Sequence, residues 1–154
     1  MPLSDIVAPN AVVAALKVNN KKQALQELAR RAAELSGQNE RAILEVLLQR
    51  ERLGSTAVGS GVAIPHGKLP ELGRLFGLFA RLDRAIEFEA LDNQKVDLVF
   101  LLLAPESAGA DHLKALARIA RLLRDPEIAR KLRDSRDVEA IYSVLKMAPA
   151  SSAA

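Results

Sequence analysis

The sequence has no cysteine and no tryptophan, a single tyrosine and only two histidines. Without cysteine, disulfides, thiolate nucleophiles, zinc–thiolate centres and iron–sulfur clusters are excluded, and the composition suits a reducing compartment. Aromatic residues make up 3% of the chain, poor material for base-stacking platforms or aromatic cages. No apolar run reaches the roughly 18 residues of a membrane-spanning helix. The densest one, Val96 to Ala104, is strand-sized and contains Asp97. Residues 1–20 lack the basic and apolar succession of a signal peptide, so a cytoplasmic location is expected. A large excess of one charge is also missing: 22 basic against 19 acidic residues leave +3, which does not call for nucleic acid. The two histidines show neither H-x-x-x-H nor H-E-x-x-H spacing, so neither a metal nor another cofactor is expected.

What is present is a globular composition, 49% hydrophobic and 27% charged over 154 residues. It suits one domain over residues 1–147, with a small polar tail at 148–154 expected to be disordered. The pattern predicts a short strand at Ala11–Ala15. A helix follows from an Asn20 cap, with Gln23 completing a capping box and Gly37 as the stop. A second helix after Asn39 carries Ile43, Leu44, Leu47 and Leu48 on its apolar stripe and ends at Gly54. Five glycines and two prolines in the stretch from Gly54 through Gly73 permit only short strands and tight turns. Strands are predicted at Leu75–Leu82, at Ile86–Phe88 and, most strongly, at Val96–Leu103, with a loop from Pro105 to Ala110. Asp111 should then cap a helix buried through Leu113, Leu116, Ile119, Ala120 and Leu123. Asp125–Pro126 starts another, and Val138–Lys146 is the last. Helices, then short strands, then one long apolar strand, then helices predict an α/β sandwich: a mixed sheet with helices on both faces.

The two histidines sit in different settings. His66, in AIPHG, lies between stiff Pro65 and permissive Gly67, and a neutral imidazole presented in such a loop is a competent nucleophile toward a phosphoryl group. Its neighbouring glycines can offer backbone N–H groups to an anion. A turn hydrogen bond explains the same residue equally simply. His112, in the first turn of the later helix, is placed to meet a phosphate or merely to sit on the surface. Arg50 and Arg52 end the second helix, where either could reach an anion or simply answer the helix dipole. The glycine-rich stretch is not a P-loop, and no nucleophile elbow is present.

The segments RERLGSTAVGSGVAIPHGK, VDLVFLLLAPE and DHLKALARIARLL occur in this order and spacing. Together they resemble the IIA component of the bacterial phosphoenolpyruvate-dependent phosphotransferase system, in its fructose–mannitol class and nearest its nitrogen-regulatory branch. The resemblance runs over about Leu3 to Lys146. It implies that His66 accepts a phosphoryl group on Nε2, that His112 assists, and that Arg50, sixteen positions before the acceptor, stabilises the phosphate charge. It also implies an oxygen acceptor that holds the His66 Nδ1–H. Six positions before the acceptor the family commonly carries an acidic residue or Asn, and here Ser60 stands there.

On this resemblance the chain is a phosphotransferase component working through a phosphohistidine, with a phosphorylated HPr or HPr-like protein as donor. Arg50 and a protonated or hydrogen-bonding His112 would offset charge on the transferring oxygens. Two roles fit: regulation of targets such as transporters or sensor kinases, or sugar uptake with transfer to a IIB domain. These residues hold no IIB domain or membrane run, so regulation is expected. A reading of another class is a non-catalytic binding module of the same fold. Arg118, Arg121 and Arg124, expected along one side of their helix, are either a solvated face or a docking surface for an acidic partner. A monomer or weak homodimer is expected.

Overall fold

Asn20 and Asn39 begin the first two helices as their spacing predicts. In the computed structural model, which describes residues 3–147, Asn20 Oδ1 accepts from the Gln23 N–H at 2.9 Å. Gln23 Oε1 in turn accepts from the Asn19 N–H at 2.8 Å, one residue earlier than in a standard capping box. Helix α1 spans Lys21–Ser36 and closes on Gly37, whose φ of 77° is open to glycine at little cost. Asn39 caps α2, Glu40–Arg52, through the Ala42 N–H. Ile43 and Leu47 are its fully buried residues, while Leu44 and Leu48 are half-buried. The tail over 148–154 lies outside the described residues.

The strands are β1 (Val12–Leu16), β2 (Ala57–Gly59), β3 (Val62–Ala63), β4 (His66–Leu69), β5 (Phe76–Ile86) and β6 (Val96–Pro105). They form one mixed sheet in which β5 and β6 are antiparallel and β1 lies parallel to β5. Strand β3 runs parallel along the first half of β6 and β4 along its second half, so the two are one line interrupted at Ile64–Pro65. Strand β1 starts one residue later than expected. The strands expected at Leu75–Leu82 and Ile86–Phe88 are one strand, since Ile86 still pairs with Val96. A register irregularity between Arg81 and Ile86 exposes Asp83 and Arg84, and those charges hide the continuity in the sequence.

Helices α3 (Ala110–Arg124), α4 (Pro126–Asp134) and α5 (Val138–Leu145) follow. Helices α1 and α2 pack together and reach β5 and β4, whereas α3 packs on β6 and α5 on β1. Strand β6 is buried at every position from Leu98 to Ala104, the pattern of a strand covered on both faces. Asp125 caps α4 with Pro126 in its first turn, as expected. Two expectations for α3 fail. Gly109, not Asp111, occupies the N-cap, with no side-chain cap. The buried face is His112, Ala115, Ile119, Leu122 and Leu123, so Leu113 is left 66% exposed. Nor do the three arginines of α3 share a side. Arg121 and Arg124 border a groove with Ala117 and Ala120, while Arg118 turns toward Leu3, Leu145 and Met147. A step of three residues falls short of a full turn, so such a series drifts around the helix.

Candidate functional site

The break between β3 and β4 makes the site. Pro65 has no N–H to give to a ladder, yet its carbonyl still accepts from Leu102 N–H at 3.0 Å, keeping the chain beside β6. The Ile64 carbonyl meets the imidazole instead: His66 Nδ1 lies 2.8 Å from it. A carbonyl only accepts, so Nδ1 carries the proton and, in the neutral ring, Nε2 keeps its lone pair. This is the oxygen acceptor that the sequence left unnamed. His66 is not in a loop as expected but opens β4, in register with Leu102.

Gly67 has a packing role beside that of the turn. An added Cβ there would stand 2.8 Å from Val46 Cγ2, so α2 lies almost against the β4 backbone. Arg50, one turn beyond Val46 on the same helix face, thereby reaches the cavity that His66 lines. Its Nη1 donates to the Gly54 carbonyl at 2.9 Å. Arg52 is exposed and away from that cavity. The cavity, about 280 Å³, is lined by Arg50, Ser55, Thr56, Val58, Ile64 and His66, with Leu116, Ala117 and Ala120 of α3 on its apolar side.

His112 comes from the first turn of α3 and packs its ring against that of His66, centroids 5.6 Å apart and planes tilted by 51°. It is 9% exposed, and its Nδ1 has no hydrogen-bond partner among the described residues. Burial pushes the His66 pKa down and the Arg50 charge adds to this, against the opposing Ile64 carbonyl and Glu51. Burial also lowers that of His112, helped by His66 and Lys68. Both shifts favour the neutral rings. Among the described residues no three His, Asp or Glu side chains converge as a metal site would need.

All three residues singled out from the sequence thus converge. Sequence reasoning missed Glu51 and Thr56, which order the turn beside the cavity. Glu51 did leave a signal, being a carboxylate at a helix C-terminus, where the dipole disfavours one. Ser60, in contrast, does not line the cavity. It sits exposed at the β2–β3 tip with φ 58°, its N–H on Asp92 Oδ2 at 3.0 Å and its carbonyl on Arg133 Nη2 at 2.8 Å. Its departure from the family pattern concerns a left-handed turn position, where Asn is well tolerated.

Residues 5–148 match the family model described as "Phosphoenolpyruvate-dependent sugar phosphotransferase system, EIIA 2". The chain is 75% identical over 153 residues to a "Nitrogen regulatory protein" of Bradyrhizobium diazoefficiens, covering 99% of this chain and 100% of that one. The crystal structure of the nitrogen regulatory protein IIA-Ntr from Neisseria meningitidis superposes with a TM-score of 0.88 at 31% identity, over 93% of this chain and 98% of that one. The mannitol IIA of Escherichia coli, solved in complex with phosphorylated enzyme IIB, has a TM-score of 0.74 at 20% identity, over 90% and 94% of the two chains. That likeness is one of fold.

Proposed function

The chain belongs to the EIIA 2 family of the phosphoenolpyruvate-dependent sugar phosphotransferase system, and from that membership we propose that it is a cytoplasmic regulatory phosphocarrier whose acceptor is His66 Nε2. The observation that carries this is the Nδ1–H bond to Ile64, which puts the lone pair on Nε2 in the neutral ring that burial favours. That lone pair attacks the phosphorus of a phosphohistidine on an HPr-like donor. The donor's P–N bond breaks and its electron pair returns to the donor imidazole, so no water or cofactor is consumed. Arg50 keeps one N–H on Gly54 and has others for the phosphoryl oxygens. The buried, unpartnered Nδ1 of His112 is less costly as a lone pair than as a donor, which puts the proton on Nε2 as a neutral hydrogen bond for the transferring group.

Regulation of target proteins, rather than onward transfer in sugar uptake, is favoured by the 75% identity to a nitrogen regulatory protein. No helix among the described residues is long and apolar enough to cross a membrane. The test is intact mass spectrometry at neutral pH after incubation with phosphoenolpyruvate, enzyme I and an HPr-type carrier. The expected gain is about 80 Da in the wild type, labile in mild acid and absent from His66→Ala. Retained labelling of His66→Ala overturns the assignment.

A further inference from the structure

Glu51 sits in the last turn of α2 with its side chain only 7% exposed. Three donors converge on it: Lys21 Nζ at 2.9 Å, the Thr56 backbone N–H at 3.1 Å, and the Thr56 hydroxyl. Burial pulls the Lys21 pKa down, but its hydrogen bonds and charge contacts with Glu51 and Glu89 outweigh this and leave it raised. The ammonium therefore stays charged and holds the carboxylate in place. An ion pair serving stability alone needs only Lys21, whereas here both carboxylate oxygens bond to Thr56.

Thr56 is buried and passes the constraint on. Its carbonyl accepts from Ile64 N–H at 3.0 Å, and the Ile64 carbonyl accepts from His66 Nδ1–H at 2.8 Å. The turn between Glu51 and Thr56 is fastened twice more, by Arg50 on the Gly54 carbonyl and by Ser55 Oγ on the Phe88 carbonyl at 2.6 Å. We propose that Glu51 is a positioning residue for phosphoryl transfer: clamped by Lys21, it holds Thr56 and through it the Ile64 carbonyl that fixes the His66 proton and aims Nε2. The assignment rests on the reading of His66 as acceptor.

Glu51→Gln, Thr56→Val and Thr56→Ser test it in the full chain. For each, the maximal transfer rate and half-saturating concentration are measured with phosphorylated HPr-type carrier, and the His66 ring nitrogens are followed by 15N NMR at pH 7.5. Glu51→Gln and Thr56→Val are expected to lower the maximal rate about tenfold with half-saturation little changed. The ring nitrogens should move from a pure Nδ1–H pattern toward a tautomer mixture. Thr56→Ser, which keeps the hydroxyl, recovers most of the rate. If Glu51→Gln does not fold, Lys21→Met releases the clamp with the carboxylate intact and is expected to act in the same direction. Wild-type rates in Glu51→Gln and Thr56→Val overturn the proposal, as does a lost rate with unchanged ring nitrogens. A wild type that takes no phosphoryl group overturns the acceptor reading and this proposal together, whereas failure of Glu51 alone leaves wild-type labelling intact.

Discussion

Gly67→Ala probes how closely α2 is held against the site. The new Cβ would lie 2.8 Å from Val46 Cγ2 and 3.1 Å from Val46 Cβ. Ordinary carbon contacts are about 3.5–4.0 Å, so something must yield by roughly 0.7 Å or more. Val46 is β-branched and stiff at χ1, and the backbone at Gly67 is not left-handed, so the strain falls on the helix–strand spacing. Overpacking of this kind costs about 1–3 kcal/mol. Arg50 rides on the same helix, and a displacement approaching 1 Å slows a positioned reaction by up to about a hundredfold. Val46→Ala alone removes two methyl groups from a half-buried position and costs about 1 kcal/mol. In the double variant the added methyl occupies the vacated space, so the two losses should fail to add by about 1–2 kcal/mol, and the transfer rate should recover in part. Urea unfolding gives the four stabilities, and rapid-quench transfer from phosphorylated carrier gives the rates. Additivity within about 0.5 kcal/mol, or an unchanged rate in Gly67→Ala, would refute the reasoning.

Arg50→Ala is expected to slow transfer by at least about tenfold, while Arg52→Ala, whose side chain is outside the cavity, leaves it near wild type; the reverse order in the same rate assay would exchange their roles. Because folding lowers the pKa of both histidines from 6.5, the unfolded chain binds more protons below that pH. Stability is then full above about 6.5, falls as the pH drops through it, and levels off below the folded-state values. Urea midpoints at pH 7.5, 6.5 and 5.5 should follow this course, with a shallower fall in His112→Ala. Ser60→Asn should raise the unfolding free energy by up to about 1 kcal/mol, since Ser60 has φ 58°, with transfer unaffected. A changed rate would give position 60 a chemical role.

The sequence was most readable where a side chain does its work on its own backbone. Asn20, Asn39 and Asp125–Pro126 mark helix starts because capping is a contact between near neighbours. It was least readable where polarity and position conflict. Hydrophobicity turns Leu113 inward, but α3 turns His112 inward and exposes Leu113, a local rule broken at the candidate site. His66 read as a loop residue because Pro65 and Gly67 flank it, and its partner on the parallel strand β6, Leu102, lies far along the chain. Three distant segments could be matched to the family and so pointed to His66, His112 and Arg50. The Ile64 carbonyl could not be found that way, because every residue has a carbonyl and only the fold decides which one is left without a ladder partner.

His66 stands on a sheet rather than on a hinge. Strand β4 is paired with β6 from His66 through Leu69, and the imidazole is tied to the backbone at Nδ1. A phosphoryl group gained at Nε2 would therefore arrive without a movable segment to announce it. What changes is the field: about −1.5 to −2 charges appear beside Val58, Leu116, Ala117 and Ala120. A partner that tells the two states apart would sense charge rather than shape. Its discrimination should then weaken as the Debye length shortens, from about 10 Å at 0.1 M salt to about 3 Å at 1 M.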